Sequence, residues 1–506
     1  MTLFRLRQLY RILHYQGLAG LLYRIRGKLW LKGASEQEDC AESLSGLVRG
    51  DVDSKGKNDL PLISVVVPLF KPDRELLEQA VQSVLSQSNA NFELCLSDDA
   101  SEEPWLKSYL AQLESDARIK IISRKSRGQI ALNTNSALSL ATGDWVVLMD
   151  QDDLLVPGAL ERVAAYILHR PKGDIFYSDE SKIDSDGKVI QECPKPDWSP
   201  LYFQRYMYVG HLKCIRRSLL EKLEGCREGT EGSQDYDLIL RAMSSGARIE
   251  HIPEVLYHWR AHGDSVALSR GAKSYAYRNA LLALYHHFVG QKGVVIEQGI
   301  YPGIYRPIVP LNPEHDRVLV LDWGKQDSTN SSLSGVGSSG VFLKIGLGAD
   351  SDRLIENTKK VLQEETCPYV IFLNSIIVPA NRNSLVRIIE ELKVDGVAAA
   401  TGVIADRSSK VVGAGYRVVR GKAQPVLAGY HRFEVGPGMQ LATGGDVDMI
   451  GLECFAARRE DLLEVWNKLP EDVDSIEALS AVLSQLLAKK GGLLFTPYAQ
   501  FFKVSI

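Results

Sequence analysis

No apolar run in the sequence approaches the ~20 residues that a membrane-spanning helix needs, and no continuous apolar signal core opens it. A chain that stays on one side of a bilayer is therefore expected. Cysteine is sparse: Cys40, Cys95, Cys193, Cys214, Cys226, Cys367 and Cys454 are odd in number, scattered and never in a C-x-x-C pair. That argues against a disulfide framework or a zinc site and predicts a reducing cytoplasm. Neither sign of charge dominates, because 59 Lys and Arg face 63 Asp and Glu. The basic excess of a nucleic-acid binder is missing, so no nucleic-acid partner is expected. What remains is ordinary globular composition, 45% hydrophobic and 24% charged over 506 residues, enough for about three domains.

Charge is nevertheless uneven along the chain. Residues 1–33 carry Arg5, Arg7, Arg11, Arg24, Arg26, Lys28 and Lys32 and no acidic residue, with Leu18, Leu21, Leu22, Ile25 and Leu29 at helical spacing. Two readings stand side by side: a basic amphipathic helix on an anionic membrane surface, or a helix docked on its own domain. Residues 34–60 turn acidic and polar and read as a linker. From Ile63 apolar strands alternate with amphipathic helices, which predicts an α/β unit with a doubly wound, mostly parallel sheet and ligands at its C-terminal strand ends. The divisions expected are 1–60, the basic segment and linker; 61–310, the α/β unit; and 311–506, a second α/β unit after a few residues of junction. The Ser/Gly-rich stretch 326–340 spells Gly335-x-Gly337-x-x-Gly340, but no strand precedes it, so a dinucleotide loop is excluded.

An internal repeat supports the second unit. Trp145-Val-Val-Leu-Met-Asp-Gln-Asp-Asp-Leu-Leu-Val-Pro157 is echoed by Tyr369-Val-Ile-Phe-Leu-Asn-Ser-Ile-Ile-Val-Pro379, and Gly210-His-Leu-Lys-Cys-Ile215 by Gly451-Leu-Glu-Cys-Phe455. Ile252-Pro253 has a counterpart in Thr496-Pro497. The second copy has a shorter front half and lacks the first copy's carboxylates. Asn374, Ser375 or Ile376 falls opposite the acidic run, and Ile476 opposite Asp235.

That run, Asp150-Gln151-Asp152-Asp153, directly follows an apolar strand. Carboxylates crowded at one strand end repel, so a cation is expected among them, and oxygen ligands suit Mg2+ or Mn2+ bridging to phosphates. The alternative for Asp153 is a helix cap. Gly232-Ser-Gln-Asp235-Tyr-Asp237 opens a helix, where one of the two carboxylates is expected to act as a cap. In Arg260-Ala-His262 the two cationic side chains point the same way in an extended stretch, a geometry suited to a diphosphate.

Taken together these motifs resemble the inverting family 2 glycosyltransferases over about residues 63–265. The resemblance implies a GT-A fold, a mixed doubly wound sheet, in 61–310, and a truncated GT-A-like module without catalytic carboxylates in 311–506. Ser64-Val-Val-Val-Pro68-Leu-Phe70 looks like the family's opening strand and nucleobase loop, implying base contacts from Pro68 and Phe70. Leu96-Ser-Asp98-Asp99 implies that Asp99 reads the base, and Arg127-Gly-Gln-x3-Asn133 that Arg127 lies near it. Leu132 stands where the family has Arg. Asp150-x-Asp152 resembles the metal and ribose motif, with Asp152 as direct metal ligand, His262 as a further ligand and Asp153 beside the nucleotide sugar. Asp235, after Gln234 where the family has Glu, matches the catalytic base, and Arg260 the diphosphate-side residue. Lys195-Pro-Asp-Trp-Ser-Pro200 looks like the branch that builds bacterial surface polysaccharides. The implied partners are a nucleoside-diphosphate sugar and a glycan or lipid-linked glycan acceptor, with a homodimer and a peripheral inner-membrane location as further expectations. Two rival readings are a two-active-site polymerase and a non-catalytic glycan-binding scaffold.

Overall fold

The alternation of apolar strands and amphipathic helices is realised twice in a computed structural model, which describes residues 3–27, 60–87, 90–261, 274–324, 342–348, 351–381, 383–473 and 475–504. The Ser/Gly-rich 326–340 and His262 lie outside the described residues. The chain forms two compact units, one of Ser35–Trp198 and Met207–His287, the other of Met1–Ala34, Ser199–Tyr206 and Phe288–Ile506. No helix among the described residues is long and apolar enough to cross a membrane.

The first unit is built on β1 (Ile63–Leu69), β2 (Phe92–Asp98), β3 (Ile119–Ser123), β4 (Trp145–Leu148), β5 (Leu154–Leu155), β6 (Ile175–Ile183), β7 (Val189–Cys193), β8 (Lys213–Arg216) and β9 (Ile249–Arg260). They form one sheet in the order β3-β2-β1-β4-β8-β6-β9-β5, with β7 beside β6. Strands β1 to β4 are mutually parallel, whereas β8 runs antiparallel to both β4 and β6. Strand β1 is buried nearly throughout, because helices cover both of its faces. Val65, Val67, Leu94 and Val147 pack with Leu77 and Val81 of the helix Arg74–Leu85 and with Leu160 and Val163 of the helix Ala159–His169. This order brings the C-terminal ends of β2, β1 and β4 to the same sheet edge as the N-terminal end of β8. Asp99, Phe70, Asp150 and His211 follow or precede those ends.

The second unit contains the hairpin β10 (Val295–Gln298) and β11 (Tyr305–Ile308), then β12 (Val318–Trp323), β13 (Phe342–Gly348), β14 (Tyr369–Asn374), β15 (Ile377–Pro379), β16 (Val397–Ala405), β17 (Val411–Gly413), β18 (Tyr416–Val419), β19 (Lys422–Pro425), β20 (Gly445–Asp446), β21 (Cys454–Arg458) and β22 (Gly492–Lys503). Its sheet runs β13-β12-β14-β21-β16-β22-β15, with β17 beside β16. That is the order β2-β1-β4-β8-β6-β9-β5 strand for strand, and the directions repeat as well. A counterpart of β3 is missing among the described residues.

The N-terminal helix Leu3–Gly27 belongs to this second unit. Ile12 and Tyr15 are buried with Ile300 and Tyr498, and Tyr15 OH donates to Glu297 Oε2 at 2.9 Å. Arg11 bonds Gln298, while Arg24 bonds Tyr301 and the Phe433 carbonyl. Two of the segment's basic side chains, Arg11 and Arg24, are thus bonded within this unit, as the docked-helix reading expects, while its outer face stays exposed. A buried ion cluster lies beneath: Glu391, with no exposed side-chain surface, pairs with Arg306 at 2.7 Å and Arg205 at 3.2 Å.

In the first unit Glu93 of β2 plays a comparable anchoring part. Its carboxylate accepts from Ser64 Oγ of β1 (2.6 Å), from Thr142 N (2.6 Å) and Oγ1 (2.8 Å), and pairs with Lys120 of β3 at 2.6 Å. Gly143 follows because a Cβ there would meet the Leu62 carbonyl oxygen at 2.5 Å. Burial opposes ionisation of Glu93, but Lys120, Ser64 and Thr142 overcome it and hold the group down at about 2. The folded value lies below the ordinary 4.5, so its stabilisation is complete above that pH and lost as pH falls through about 2. The difference corresponds to roughly 2–4 kcal/mol. Urea titrations from pH 7 to pH 2 should show Glu93→Gln less stable at neutral pH and less sensitive to acid than the parent.

Candidate active site

The acidic turn after β4 takes its shape from contacts with the end of β1 and with β9. Gln151 uses its side-chain amide in both directions, accepting from Phe70 N (2.8 Å) and donating to Phe70 O (3.2 Å). The turn is thereby fixed to the end of β1. Asp153 is 1% exposed and accepts from Tyr257 OH (2.7 Å) and from Arg260 N (2.8 Å), both on β9. Burial, then the charges of Asp150 and Asp152, push its carboxyl well above the ordinary range. Arg260, expected near a diphosphate, is itself buried. Its guanidinium donates to the carbonyls of Asp152 (3.0 Å) and Ser185 (3.2 Å) and to Gln79 Oε1 (2.8 Å). In this conformation it braces the acidic turn from behind.

Strand β8 brings a residue that the motif reading passed over. Leu148 of β4 lies opposite Lys213, so His211, two residues before, reaches the turn after β4. His211 Nε2 stands 3.6 Å from Asp150 Oδ2, and its ring stacks on Tyr257 with centroids 4.8 Å apart. Burial, then Lys213 and Lys195, push its pKa well below 6.5. The imidazole is therefore neutral near pH 7, and the contact with Asp150 is not an ion pair. Its Nδ1 is buried without a hydrogen-bond partner. Asp150, Asp153 and His211 can each place a ligand atom within 4.8 Å of the others. A neutral imidazole beside a half-exposed carboxylate is a donor set that fits a divalent cation. Asp152, expected as the direct ligand, is not in that group, and instead its backbone carbonyl holds Arg260.

The His211 turn is built by Lys195 and Glu180. Lys195 Nζ donates to Ser178 O (2.7 Å), to Val209 O (2.7 Å) and to His211 O, and pairs with Glu180 at 3.0 Å. Glu180 accepts from His211 N at 2.7 Å. Lys213, buried on the other side, reaches Asp235 Oδ2 at 3.3 Å and also bonds the Gly210 carbonyl. Asp235 lies in the first turn of the helix Gln234–Ser244 and is partly exposed, whereas Asp237 is buried between Arg241 (2.7 Å) and Arg227 (3.3 Å). On the nucleobase side Arg127 lies over the Phe70 ring, 4.1 Å from its centroid. Asp99 is buried and accepts from Gly128 N at 2.7 Å, with Arg124 Nε at 3.1 Å. Pro68 and Phe70 are half-buried at the end of β1.

Register defines what the second unit retains. Trp145 and Tyr369 both pair with the first residue of their central strand, so Asn374 takes the place of Asp150. Pairing of β21 with β14 puts Phe455 where Lys213 stands and Glu453 where His211 stands. Lys213 precedes Asp235 by 22 residues, as Phe455 precedes Glu477. The Asp235 position is thus Glu477, one residue beyond the expected Ile476. A carboxylate survives there, but not its lysine partner.

A mixed sheet with an acidic turn at the end of its central parallel strands, and a partly exposed carboxylate at the start of a helix beyond the neighbouring strand, is the arrangement of a GT-A-type fold. Residues 64–223 match the model of the family described as Glycosyl transferase family 2. A putative glycosyltransferase of Bacillus subtilis, EpsE, is 32% identical over 234 residues, covering 44% of this chain and 81% of EpsE. The chain belongs to glycosyl transferase family 2. The O-antigen biosynthesis protein RfbC of Myxococcus xanthus is 38% identical over 213 residues, 42% of this chain and 17% of RfbC. The uncharacterized protein y4gI of Sinorhizobium fredii is 39% identical over 259 residues, 50% of this chain. The chain covers 28% of y4gI, so both of these relatives are far longer than the stretch they share. S. aureus TarS in complex with UDP-GlcNAc is 18% identical, covering 46% of this chain and 67% of that one at a TM-score of 0.38.

The ligand grouping carries its own test. In Mn2+ titrations of the full chain, His211→Ala and Asp150→Asn should weaken binding by roughly tenfold or more. Asp152→Asn should weaken it less. Equal loss across all three would return Asp152 to the coordination sphere.

Proposed function

We propose that residues 61–310 catalyse metal-dependent, inverting transfer of a hexosyl or deoxyhexosyl group. The sugar moves from a nucleoside-diphosphate donor to a hydroxyl of a glycan or lipid-linked glycan, in bacterial surface polysaccharide synthesis. The observation that carries the reading is a partly exposed Asp235 held by Lys213, on the same sheet edge as the acidic turn. Asp235 takes the acceptor hydroxyl's proton, the oxygen attacks the anomeric carbon, and the bond to the diphosphate breaks on the opposite face. The Lys213 ammonium keeps the carboxylate aimed. Pro68, Phe70, Asp99 and Arg127 hold the nucleobase, with the ring and guanidinium of Phe70 and Arg127 forming one stacked surface. Asp150, Asp152 and Asp153 lie beside the donor's ribose and diphosphate, and Arg260 keeps that turn in shape. Asp150, Asp153 and His211 would hold Mn2+ or Mg2+, with Asp152 and His262 as the family-implied alternatives. When bound, the ion supplies positive charge beside the departing diphosphate. The name of RfbC supports the polysaccharide setting. A cytoplasmic protein acting at the inner face of the membrane fits such acceptors, with a homodimer as its assembly.

The module 311–506 serves as a partner of the first, without a donor site of its own. The two-active-site reading draws on Glu477 alone, without a lysine beside it. Nucleotide release and sugar transfer should fall roughly 10^2–10^4-fold in Asp235→Asn, with donor binding near normal. Asn374→Ala and Glu477→Ala should transfer at nearly the parent rate. A comparable loss in Glu477→Ala would favour the polymerase.

Peripheral membrane contact, if made by the N-terminal helix, uses its outer face, where Tyr10, Leu13, Leu18 and Leu22 are exposed. Deleting the helix would expose Tyr498 and Ile300, so point changes are the cleaner probe. Leu18→Glu with Leu22→Glu should abolish co-sedimentation with anionic vesicles and leave thermal stability unchanged. Unaltered sedimentation would remove this face from the interaction.

A further inference from the structure

We infer that Lys195, together with Glu180, is a positioning residue for the metal ligand His211, acting through the backbone and not by touching the donor. This rests on the metal-site reading above. It gives a use to the lysine of Lys195-Pro-Asp-Trp-Ser-Pro200, which its charge alone would place on a phosphate.

An ammonium group has three hydrogens to donate. Around Lys195 Nζ stand the carbonyls of Ser178 (2.7 Å), Val209 (2.7 Å) and His211, and Glu180 Oε2 at 3.0 Å. Acceptors from the protein already outnumber the hydrogens, and the Lys195 side chain is only 5% exposed. No hydrogen is left for a diphosphate. The backbone of Lys195 is held too, since its N–H donates to Asp179 Oδ1 at 2.8 Å. Ser178, Asp179 and Glu180, consecutive residues of β6, thus fix the lysine before it reaches the His211 turn.

The peptide groups of His211 close a ring with this ion pair. Glu180 Oε2, the oxygen that pairs with Lys195, also accepts from His211 N at 2.7 Å, and the Lys195 ammonium bonds the His211 carbonyl. Gly210 leaves room for the ring: at its φ of +49° a Cβ would meet Glu180 Oε2 at 2.5 Å. Its carbonyl is bonded by Lys213, so the carbonyls of residues 209, 210 and 211 all meet buried ammonium groups. With the backbone fixed and the imidazole stacked on Tyr257, Nε2 is held 3.6 Å from Asp150 Oδ2.

Charge and position predict opposite signs. The Lys195 ammonium repels a cation bound at His211, so its removal would tighten Mn2+ binding if charge alone mattered. Acting by position, its removal loosens the ligand, and groups that orient a metal ligand commonly change affinity about 10–100-fold when lost.

The test uses the full chain with Lys195→Met, Glu180→Gln and, as a control, Val163→Ala in the core of the same unit. Mn2+ binding is measured by calorimetry, and amide exchange on a peptide spanning 207–216. Lys195→Met should weaken Mn2+ binding about 10–100-fold and raise exchange over 207–213. Glu180→Gln keeps an oxygen for the His211 amide and should stay close to the parent in both. Val163→Ala should lower thermal stability and change neither. Should Lys195→Met fail to fold, Lys195→Met with Glu180→Gln removes the unpaired carboxylate, with the same expected loss. Parent-like or tighter Mn2+ binding in either folded variant overturns the inference. A parent protein that binds no Mn2+ rejects the metal site instead; raised exchange over 207–213 in Lys195→Met then keeps the tie on the turn, and unchanged exchange overturns that as well.

Discussion

The carboxylate of Asp153 is removed from water and answered by two donors of β9, the Tyr257 hydroxyl and the Arg260 amide. A buried carboxyl group without such partners would be costly, so the turn after β4 and the strand β9 are favoured to meet. That meeting sets the places of three further groups. Arg260 is drawn under the turn, where its guanidinium satisfies the Asp152 carbonyl. Tyr257 is placed where its ring supports His211, and Asp150 is left at the surface of the turn. Geometry suited to a cation thus arises as the outward side of a structural contact whose inward side is apolar core.

The second unit repeats the sheet with different side chains along its edge. Strand order and direction persist because they are set by apolar faces that must be buried. The side chains of the edge do not persist, since Asn374, Glu453 and Phe455 occupy the places of Asp150, His211 and Lys213. Buried charge is concentrated elsewhere, around Glu391 and Arg306, where Arg205, Glu390 and Glu297 complete the cluster. Burial alone would lower the charge on Arg306, but Glu391, Glu297 and Glu390 keep it protonated. Breaking one partner of such a cluster typically costs about 3–5 kcal/mol. It binds the Ser199–Tyr206 segment, the β10–β11 hairpin and the helix Ser384–Leu392 into one body, on which the N-terminal helix is seated.

Much of this protein was legible in its sequence. Continuous apolar runs marked β1, β4, β12 and β14, because strands covered on both faces must be apolar at every position. The repeat was legible because equivalent strands carry equivalent side chains in equal order. The crowding of Asp150, Asp152 and Asp153 was legible because the three lie within four residues. Tertiary structure alone decided the rest. His211 sits 61 residues from Asp150 in an unremarkable Gly-His-Leu-Lys run, and only the antiparallel pairing of β8 with β4 makes them neighbours. Lys195 was readable as part of a motif but not as the tie that holds the His211 turn. Arg260 carries the same charge whether it faces a ligand or the core, and its sequence neighbours do not distinguish the two. The N-terminal helix has an apolar stripe that would suit a bilayer or a protein surface equally, and that its Ile12 and Tyr15 meet Tyr498 and Ile300, nearly 500 and 300 residues away, is written nowhere in the stripe itself. Local periodicity records which groups must leave water; which group meets which is fixed only when the sheet order closes the distance.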